Sequence, residues 1–341
     1  MNENNKNELV AAANLNTVAC TYRAWLSNLW IKGYEGQLLL LIMYSLLLIG
    51  LSIANGESVL SLSWKTVLLI FAMFVISLIF YFVKNDYNHP LSWMLEWSPL
   101  FLITYVYRIL VNMNENLIVP RVHVKEPYMI EKLLFSWIFG GEMPNTWLYS
   151  HFRCPFVTFI VGIVYFTDLF VPVGIMIYAW LKKDRKTFSF GGYLLATVGF
   201  YAVLTFAIYP AAPPWYVQQF GFSPPDIKFM ENYSWYLAAR LTDFDQLIKY
   251  PFYQQFYTGM SRDFFAAIPS VHVAYGIVTI FIGYHRWKKK SLLLSFPYAT
   301  LVIFSAVYTN HHYLFDAVCG IICAFVALGS TKLLISCTKR G

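Results

Sequence analysis

Long apolar runs dominate the pattern of hydrophobic and polar positions along this chain. A helix needs about 20 mostly apolar residues to cross a bilayer. The runs that approach this length cover residues 36–54, 64–83, 93–111, 155–181, 191–209, 269–285, 292–309 and 313–335. The pattern predicts an all-α, polytopic membrane helical bundle of about eight transmembrane helices, within a range of six to eight.

Three features depart from a plain spanning helix. The run 93–111 contains Glu96, and the long run 155–181 carries Asp168 near its middle. A shorter apolar strip at 128–139 cannot span a bilayer and is typical of a helix at the membrane–water interface.

The composition agrees with a membrane protein. Hydrophobic residues make up 58% of the 341 residues and charged residues only 13%, whereas soluble proteins carry about 25% charged residues. A soluble core has no room for so much apolar surface. We therefore predict an integral membrane protein and exclude collagen-like, disordered and disulfide-scaffold classes.

The net charge of +7 comes largely from basic residues in short connections between apolar runs. Basic clusters occur at 182–186, at 286–290 and in the C-terminal pair Lys339-Arg340. Cytoplasmic connections carry an excess of Lys and Arg. We therefore expect both termini in the cytoplasm and the long aromatic-rich connections 112–154 and 210–268 outside. No nucleic-acid partner is needed to explain the charge.

Three polar side chains at the starts of predicted spans could carry chemistry. His272 opens the run 269–285, and His312 opens the run 313–335 with Asp316 four residues later. Residues four apart share a helix face, and an acid beside an imidazole fixes its tautomer and raises its basicity. Ionisable residues in membrane helices are costly and are taken as functional by default. These three residues are the candidate catalytic set.

The pair Pro269-Ser270 predicts a helix start that attracts an anion. Pro suits the first helical turn and Ser suits the N-cap. Free N–H groups and the helix dipole favour a phosphate there. Two histidines, a carboxylate and an anion site on one membrane face suit phosphoryl transfer through a histidine nucleophile.

Other interpretations stay open at this stage. Each histidine could be structural or interfacial. The two histidines, His311 and Asp316 could together bind a metal, although no spacing matches a known His or Cys metal motif. Asp168 could line a polar cavity, pair with Arg108 or cap an internal packing site.

These residues resemble motifs of the type-2 phosphatidic acid phosphatase superfamily. The second signature of the superfamily, Pro-Ser-Gly-His, is similar to residues 269–272, which read Pro-Ser-Val-His. The third signature, Ser-Arg, five residues, His, three residues, Asp, matches the spacing of Ser305, His312 and Asp316. The first signature, which ends in Arg-Pro, is absent.

The departures from these signatures resemble one branch, the inositol phosphorylceramide synthases of fungi and their prokaryotic relatives. Val271 stands where the second signature has Gly, and Ala306 stands where the third has Arg. The branch also has a His-His-Tyr-x-x-Asp stretch, here 311–316, and a Pro-Pro-Trp-like segment, here 209–215. The resemblance covers roughly residues 130–335.

The resemblance implies roles for individual residues. His312 would attack phosphorus, Asp316 would hold its other ring nitrogen, and His272 would act as acid and then as base. A phosphohistidine intermediate is implied, and no metal or other cofactor is expected. The candidate substrate-binding residues are Arg262, Arg240 and Lys249, which would replace the missing cations, together with Ser270, Asp168 and Trp215.

We therefore expect a membrane lipid phosphotransferase that moves a phosphoryl headgroup, phosphoinositol in the most similar relatives, from a phospholipid to a lipid hydroxyl such as ceramide. The alternative is a lipid phosphate or polyprenyl diphosphate phosphatase that uses the same residues with water as acceptor. A non-catalytic transporter or scaffold is a third interpretation. The expected partners are a phospholipid donor and a lipid acceptor within the bilayer, and no protein partner is indicated.

The expected organisation has three parts. A polar cytoplasmic segment covers 1–35, N-terminal transmembrane helices cover 36–127, and a catalytic membrane domain covers 128–341. The catalytic core would be built from the last five or six spans, with its site at the extracytoplasmic face.

Overall fold

A computed structural model describes residues 35–55, 96–103, 119–225, 234–260 and 265–338. The predicted span at 64–83, the polar segment up to residue 34 and the side chain of Arg262 lie outside the described residues.

Within these residues the protein is built from helices, as predicted, with two isolated β-bridges at Ala211 and no strand. The helices are α1 (Glu35–Asn55), α2 (Lys125–Phe135), α3 (Pro144–Phe152), α4 (Pro155–Thr167), α5 (Phe170–Leu181), α6 (Arg185–Ile208), α7 (Pro214–Phe220), α8 (Thr242–Ile248), α9 (Phe252–Met260), α10 (Val271–Trp287), α11 (Leu292–Tyr308) and α12 (Leu314–Thr338). Short 3₁₀ turns lie at Val119–Arg121, Ser136–Phe139, Ser234–Leu241 and Lys288–Ser291.

Long apolar helices make this chain an integral membrane protein. In the described part, three stretches are long and apolar enough to span a bilayer: Arg185–Ile208, Val271–Tyr308 and Leu314–Ser336. The bent pair of α4 and α5 would supply a fourth. The total of about eight spans stays a prediction, because several predicted runs lie wholly or partly outside the described residues.

The run 155–181 is not the single helix that the sequence predicts. It forms α4 and α5, which are bent by 52° at the break around Asp168. Pro172 lies in the first turn of α5, where its ring excludes a helical bond to the carbonyl of Asp168. The break leaves Asp168 at a corner between two helices, from which its side chain can reach a third.

The helices α10 and α11 pack against each other as a hairpin. The chain reverses at Lys288, which takes up a left-handed backbone conformation with φ of 57°. Because α10 has 17 residues, about 25 Å separates this basic turn from the end that carries His272.

The basic connection at 182–186 lies at the same end of the bundle as the turn after α10. Arg286 Nε lies 3.0 Å from Asp184 Oδ2, and Thr187 Oγ1 lies 3.2 Å from His285 Nδ1. Two basic connections on one side are what the positive-inside argument requires. Which side is cytoplasmic stays a prediction.

Glu96, the charge that weakened the predicted run 93–111, is buried and paired near this end. Its Oε2 lies 2.9 Å from Arg185 Nη1 at the start of α6. A buried carboxylate is tolerated when a cation and hydrogen bonds compensate for lost water. The ion pair therefore explains how an apolar region accommodates Glu96.

Helix α6 lies at the centre of the bundle. It packs against α1, α5, α10 and α12, and every residue from Phe190 to Val198 is buried. A helix that is apolar on all sides is expected to be covered on all sides. Gly191 allows the approach of α5, because a Cβ there would lie 2.5 Å from Met176 Cγ.

Helix α12 passes so close to the start of α10 that one position requires glycine. A Cβ on Gly320 would lie 2.4 Å from the carbonyl oxygen of Ser270. One turn earlier, the N–H of Ser270 donates to the carbonyl oxygen of Asp316 at 3.1 Å. This contact joins the segment that precedes His272 to the helix that carries Asp316.

Replacing Gly320 with Ala should destabilise the protein by about 1–3 kcal/mol, because a backbone oxygen cannot move aside as a side chain can. Gly329→Ala is the matched control in the same helix, since no atom lies within 4 Å of its added Cβ. Thermal unfolding of both variants in lipid–detergent micelles measures the difference. Equal melting temperatures would show that the two helices do not approach so closely.

Candidate active site

Three elements bring together residues that the sequence singled out. His272 lies in the first turn of α10, His312 in the turn between α11 and α12, and Asp168 at the corner of α4 and α5. The ring centroids of the two histidines are 5.6 Å apart. One phosphorus atom can therefore lie within reach of both rings.

Ser270 caps α10, as the sequence predicts. Its Oγ accepts a hydrogen bond from the N–H of Val273 at 3.4 Å. The prediction for Pro269 is wrong in one respect, because Pro269 precedes the cap instead of lying in the first turn. The first-turn N–H groups, which have no helical acceptor, lie beside His272.

His272 is held by a carboxylate that the sequence analysis did not connect with it. The ring Nδ1 donates to Asp168 Oδ2 at 2.8 Å, and Nε2 lies 2.8 Å from the hydroxyl of Tyr165. Arg108, one partner considered for Asp168, lies outside the described residues. The available signal was a carboxylate within an apolar run, and it did not indicate a partner about 100 residues away in the chain.

His312 does not lie on the same helix as Asp316. Helix α12 begins at Leu314, so His312 belongs to the preceding turn, and the shared-face argument fails. The ring Nδ1 of His312 donates to the carbonyl oxygen of Ala267 at 3.0 Å. Because a carbonyl can only accept, the proton is on Nδ1 and the lone pair is on Nε2.

Asp316 is buried close to His312 and bonded elsewhere. Its Oδ2 lies 3.6 Å from His312 Nδ1 but accepts a hydrogen bond from the N–H of Tyr313 at 2.8 Å. The second oxygen, Oδ1, is buried with no hydrogen-bond partner among the described residues. Asp316 therefore lies beside His312 without the hydrogen bond that the resemblance implied.

The surroundings keep His312 neutral. Burial, together with the nearby His272 and His311, lowers the pKa of His312 well below its ordinary value. Within the described part of the chain, Nε2 of His312 has no hydrogen-bond partner. The neighbouring His311 is bonded through Nε2 to the carbonyl oxygen of Leu237 at 2.8 Å, and burial lowers its pKa to about 3.

A carboxylate from the interfacial region caps the start of α12. Glu131 on α2 is fully buried, and its two oxygens accept from the N–H groups of Leu314 and Phe315, each at 2.9 Å. A helix is present where the interfacial helix is predicted, and Leu133 on it and Trp137 in the following turn are 79% and 74% exposed. Its location at the membrane interface stays a prediction. Nothing local in the sequence indicates that Glu131 caps α12, because its partners lie about 180 residues away.

The Pro-Pro-Trp-like segment supports the turn that carries His312. Ala211 is paired with His123 on one side and with Ala266 on the other. Its N–H donates to Phe265, and its carbonyl accepts from Ala267 at 3.4 Å. The segment that carried the family resemblance therefore fixes the backbone to which the ring of His312 is bonded.

The predicted substrate-binding residues are not all brought together. Arg240 and Trp215 line one cavity with Asn310, two residues before His312. Lys249 is exposed at the C-terminal end of α8 and does not line that cavity. Arg262 lies outside the described residues.

The alternative of a metal site finds no support in the described residues. No group of three or more His, Cys, Asp or Glu side chains in that part of the chain is placed to hold a metal ion. His311 and His312 are bonded to carbonyl oxygens, and Asp316 accepts from a backbone N–H.

The family is decided by comparison with known proteins. A family model of the PAP2 superfamily matches residues 133–330, which is more than half of the chain. The chain belongs to the PAP2 superfamily. The matched region contains the three residues of the candidate catalytic set as well as Asp168.

Two curated relatives carry names that match the branch that the motifs resemble. A phosphoinositol dihydroceramide synthase from Bacteroides thetaiotaomicron is 31% identical over 207 residues, which cover 58% of this chain and 64% of that protein. An inositol phosphorylceramide synthase from Candida albicans is 28% identical over 175 residues, which cover 50% of this chain and 34% of that protein. The match thus spans less than two thirds of either relative. No solved structure matches the chain significantly.

The cap on α12 generates a prediction on pH dependence. Burial raises the pKa of Glu131 from 4.5 to about 6, against the opposing effect of its two N–H bonds. Between these values the folded chain binds more protons than the unfolded chain, so stability falls as the pH rises. Glu131→Gln abolishes this titration. Wild type should therefore lose about 1.5 kcal/mol more than the variant between pH 4.5 and 6.5.

Thermal unfolding across that pH interval tests the prediction. A difference in the free energy of unfolding that is the same at every pH would reflect only the hydrogen bond that Glu131→Gln removes. Parallel curves at all pH values would therefore contradict a titrating, buried Glu131.

Proposed function

We propose that this protein is a lipid phosphotransferase that moves phosphoinositol from phosphatidylinositol to the hydroxyl of a ceramide-type lipid. Membership of the PAP2 superfamily and the names of the two relatives support a transferase of this class. The observation that carries the proposal is a neutral, buried His312 with a free Nε2 beside a second histidine that is held by a carboxylate. Such a pair divides the work of nucleophile and acid–base catalyst.

In the first half-reaction, His312 Nε2 attacks the phosphorus of the donor. A P–N bond forms, and the P–O bond to the diacylglycerol oxygen breaks. His272, in its protonated form and oriented by Asp168, gives a proton to that oxygen. The hydroxyl of Tyr165, which occupies Nε2 of His272 in the free protein, gives up its place to the leaving oxygen.

In the second half-reaction, neutral His272 removes the proton from the acceptor hydroxyl. The acceptor oxygen attacks phosphorus, the P–N bond breaks, and His272 returns to its protonated form. Water must be kept from the phosphohistidine. The ring of Tyr165, whose centroid lies 4.2 Å from that of His272 and 4.9 Å from that of His311, supports a covered site.

Asp316 has a distinct role in this mechanism. When His312 is phosphorylated its ring becomes cationic, and the buried carboxylate 3.6 Å from Nδ1 stabilises that charge. The carbonyl oxygen of Ala267 holds the Nδ1 proton throughout. Orientation and charge stabilisation thus come from two different groups.

The phosphatase alternative is less well supported. A terminal phosphate monoester carries up to about two negative charges, whereas a diester carries one, so a monoester needs more cations. This chain has Ala306 at the position where the phosphatases have the Arg of the third signature. Ala306 is fully buried, and its carbonyl oxygen accepts a hydrogen bond from the N–H of His312. A phosphodiester donor, which carries one negative charge, suits a site without that Arg better than a phosphate monoester does.

The proposal predicts a transfer product that requires both lipids and His312. Protein in lipid vesicles receives labelled phosphatidylinositol with or without ceramide. Wild type should form a phosphoinositol-bearing sphingolipid only when ceramide is present, and His312→Ala should lower the rate by roughly 10⁴-fold or more. His151→Ala, an exposed histidine on α3, is the matched control and should keep full activity.

Two results would overturn parts of this assignment. Undiminished turnover by His312→Ala would exclude it as the nucleophile. Release of free phosphate from a lipid phosphate monoester in a parallel reaction, without any transfer, would establish the phosphatase.

The pairing of Asp168 with His272 predicts a selective defect. Asp168→Asn should slow transfer from phosphatidylinositol by between about 10-fold and the roughly 10⁴-fold that a general acid–base group can contribute. A nitrophenyl phosphoinositol donor has a leaving group that needs no proton. Its initial burst of nitrophenol should therefore keep nearly the wild-type rate, while the later turnover falls. Equal loss in the burst and in turnover would assign Asp168 a purely structural role.

A further inference from the structure

A cavity of about 180 Å³, lined by both polar and apolar groups, lies beside the turn that carries His312. Its wall is formed by residues of α7, the 3₁₀ turn at Ser234–Leu241, α8 and the turn after α11. The lining residues are Trp215, Gln218, Gln219, Ala239, Arg240, Thr242 and Asn310. No step of the mechanism above uses these side chains.

The backbone fixes this cavity relative to His312. The N–H of Trp215 donates to the carbonyl of Asn310, and the N–H of Arg240 donates to the carbonyl of Thr309, both at 3.1 Å. Asn310 precedes His312 by two residues, so their Cα atoms are at most about 7 Å apart. A group bonded to phosphorus at His312 is therefore close enough to enter the cavity.

A chain of carboxamides fixes the orientation of the cavity wall. Asn145 Nδ2 donates to Asn310 Oδ1 at 2.5 Å, and Asn310 Nδ2 donates to Gln218 Oε1 at 2.6 Å. The amide of Asn310 is thereby held from both sides. Gln218 retains an NH₂ group, and the neighbouring Gln219 adds a second complete carboxamide at the cavity.

The charge of Arg240 is already engaged by the protein. Its Nη1 donates to the carbonyls of Asn145 and Tyr308 at 2.7 and 3.1 Å, and its guanidinium carbon lies 4.3 Å from the ring centroid of Tyr149. Asp243, bonded to the hydroxyl of Tyr149, adds a negative charge nearby. Asp243 is shared with Arg153, whose Nε lies 3.3 Å from Asp243 Oδ2. Arg240 is therefore a hydrogen-bond donor that the protein itself already holds in place.

The lining chemistry discriminates among headgroups. Carboxamides and the hydroxyl of Thr242 both donate and accept, which matches hydroxyl groups, whereas a phosphate only accepts. A choline or ethanolamine group would need carboxylates or several aromatic faces. The cavity supplies one aromatic residue, Trp215, and no carboxylate among its lining residues.

We propose that this cavity is the binding site for the polyol ring of the donor headgroup and selects inositol over other headgroups. The inference deepens the proposed function and rests on it. Its volume of about 180 Å³ leaves space for a compact cyclic polyol whose hydroxyls would meet the carboxamides of the lining. The phosphorus of the donor then lies at His312, and the ring points away from the two histidines.

The test uses the full-length protein in vesicles with the double variant Gln219→Leu and Thr242→Val. Each lost hydrogen bond should raise the KM for phosphatidylinositol roughly three- to ten-fold. The kcat of headgroup transfer should change by a smaller factor than the KM. The preference for phosphatidylinositol over phosphatidylglycerol should fall in parallel. Gln246→Leu, an exposed glutamine on α8 that does not line the cavity, is the matched control.

Direct binding separates this proposal from the proposed function. Saturation-transfer NMR with myo-inositol 1-phosphate, alone and in the presence of inorganic phosphate as a competitor, needs no turnover. A signal from the inositol ring in wild type that disappears in the double variant supports the cavity even if no transfer from phosphatidylinositol to ceramide is detected. An unchanged KM and headgroup preference in the double variant, or an unchanged ring signal, would overturn it.

Discussion

The candidate site depends on one contact, the docking of α12 against the start of α10. The N–H of Ser270 donates to the carbonyl of Asp316, and Gly320 leaves room for the carbonyl of Ser270 one turn later. Two helix starts are thereby locked side by side, each with a histidine at or just before its first turn. Without that lock neither the spacing of His272 and His312 nor the position of the intervening phosphorus would be defined.

The sequence predicted the parts of the site that local spacing encodes. His272, with its Ser270 cap, and the stretch that contains His312 and Asp316 follow from short motifs. Their spans are separated by one other span, so both starts lie on the same side of the bundle. The bond from Asp168 to His272 could not be predicted, because it joins helices about 100 residues apart. The local sequence contains one sign of it, because Pro172 follows an acidic residue within an apolar run. That sign indicates a helix break at Asp168, but it does not indicate that His272 is the partner. The number of spans rests on composition alone and stays open.

The carboxylates of the site lie behind the histidines and away from the place of the substrate. Asp168 contacts Nδ1 of His272, and Asp316 lies near Nδ1 of His312. In the mechanism proposed above, an anionic donor meets the far nitrogens, while each carboxylate stabilises positive charge on its own ring. By that mechanism a chain that lacks the usual Arg of the third signature would generate its cations during the reaction.

The placement of α2 has a mechanical consequence. One side of this region carries Leu133 and Trp137, which are exposed as expected of side chains in the headgroup layer, and the other side delivers Glu131 to the first N–H groups of α12. The segment that exposes large apolar side chains is thus the same segment that caps the helix following His312. A displacement of α2 would therefore be passed to the start of α12 through Glu131.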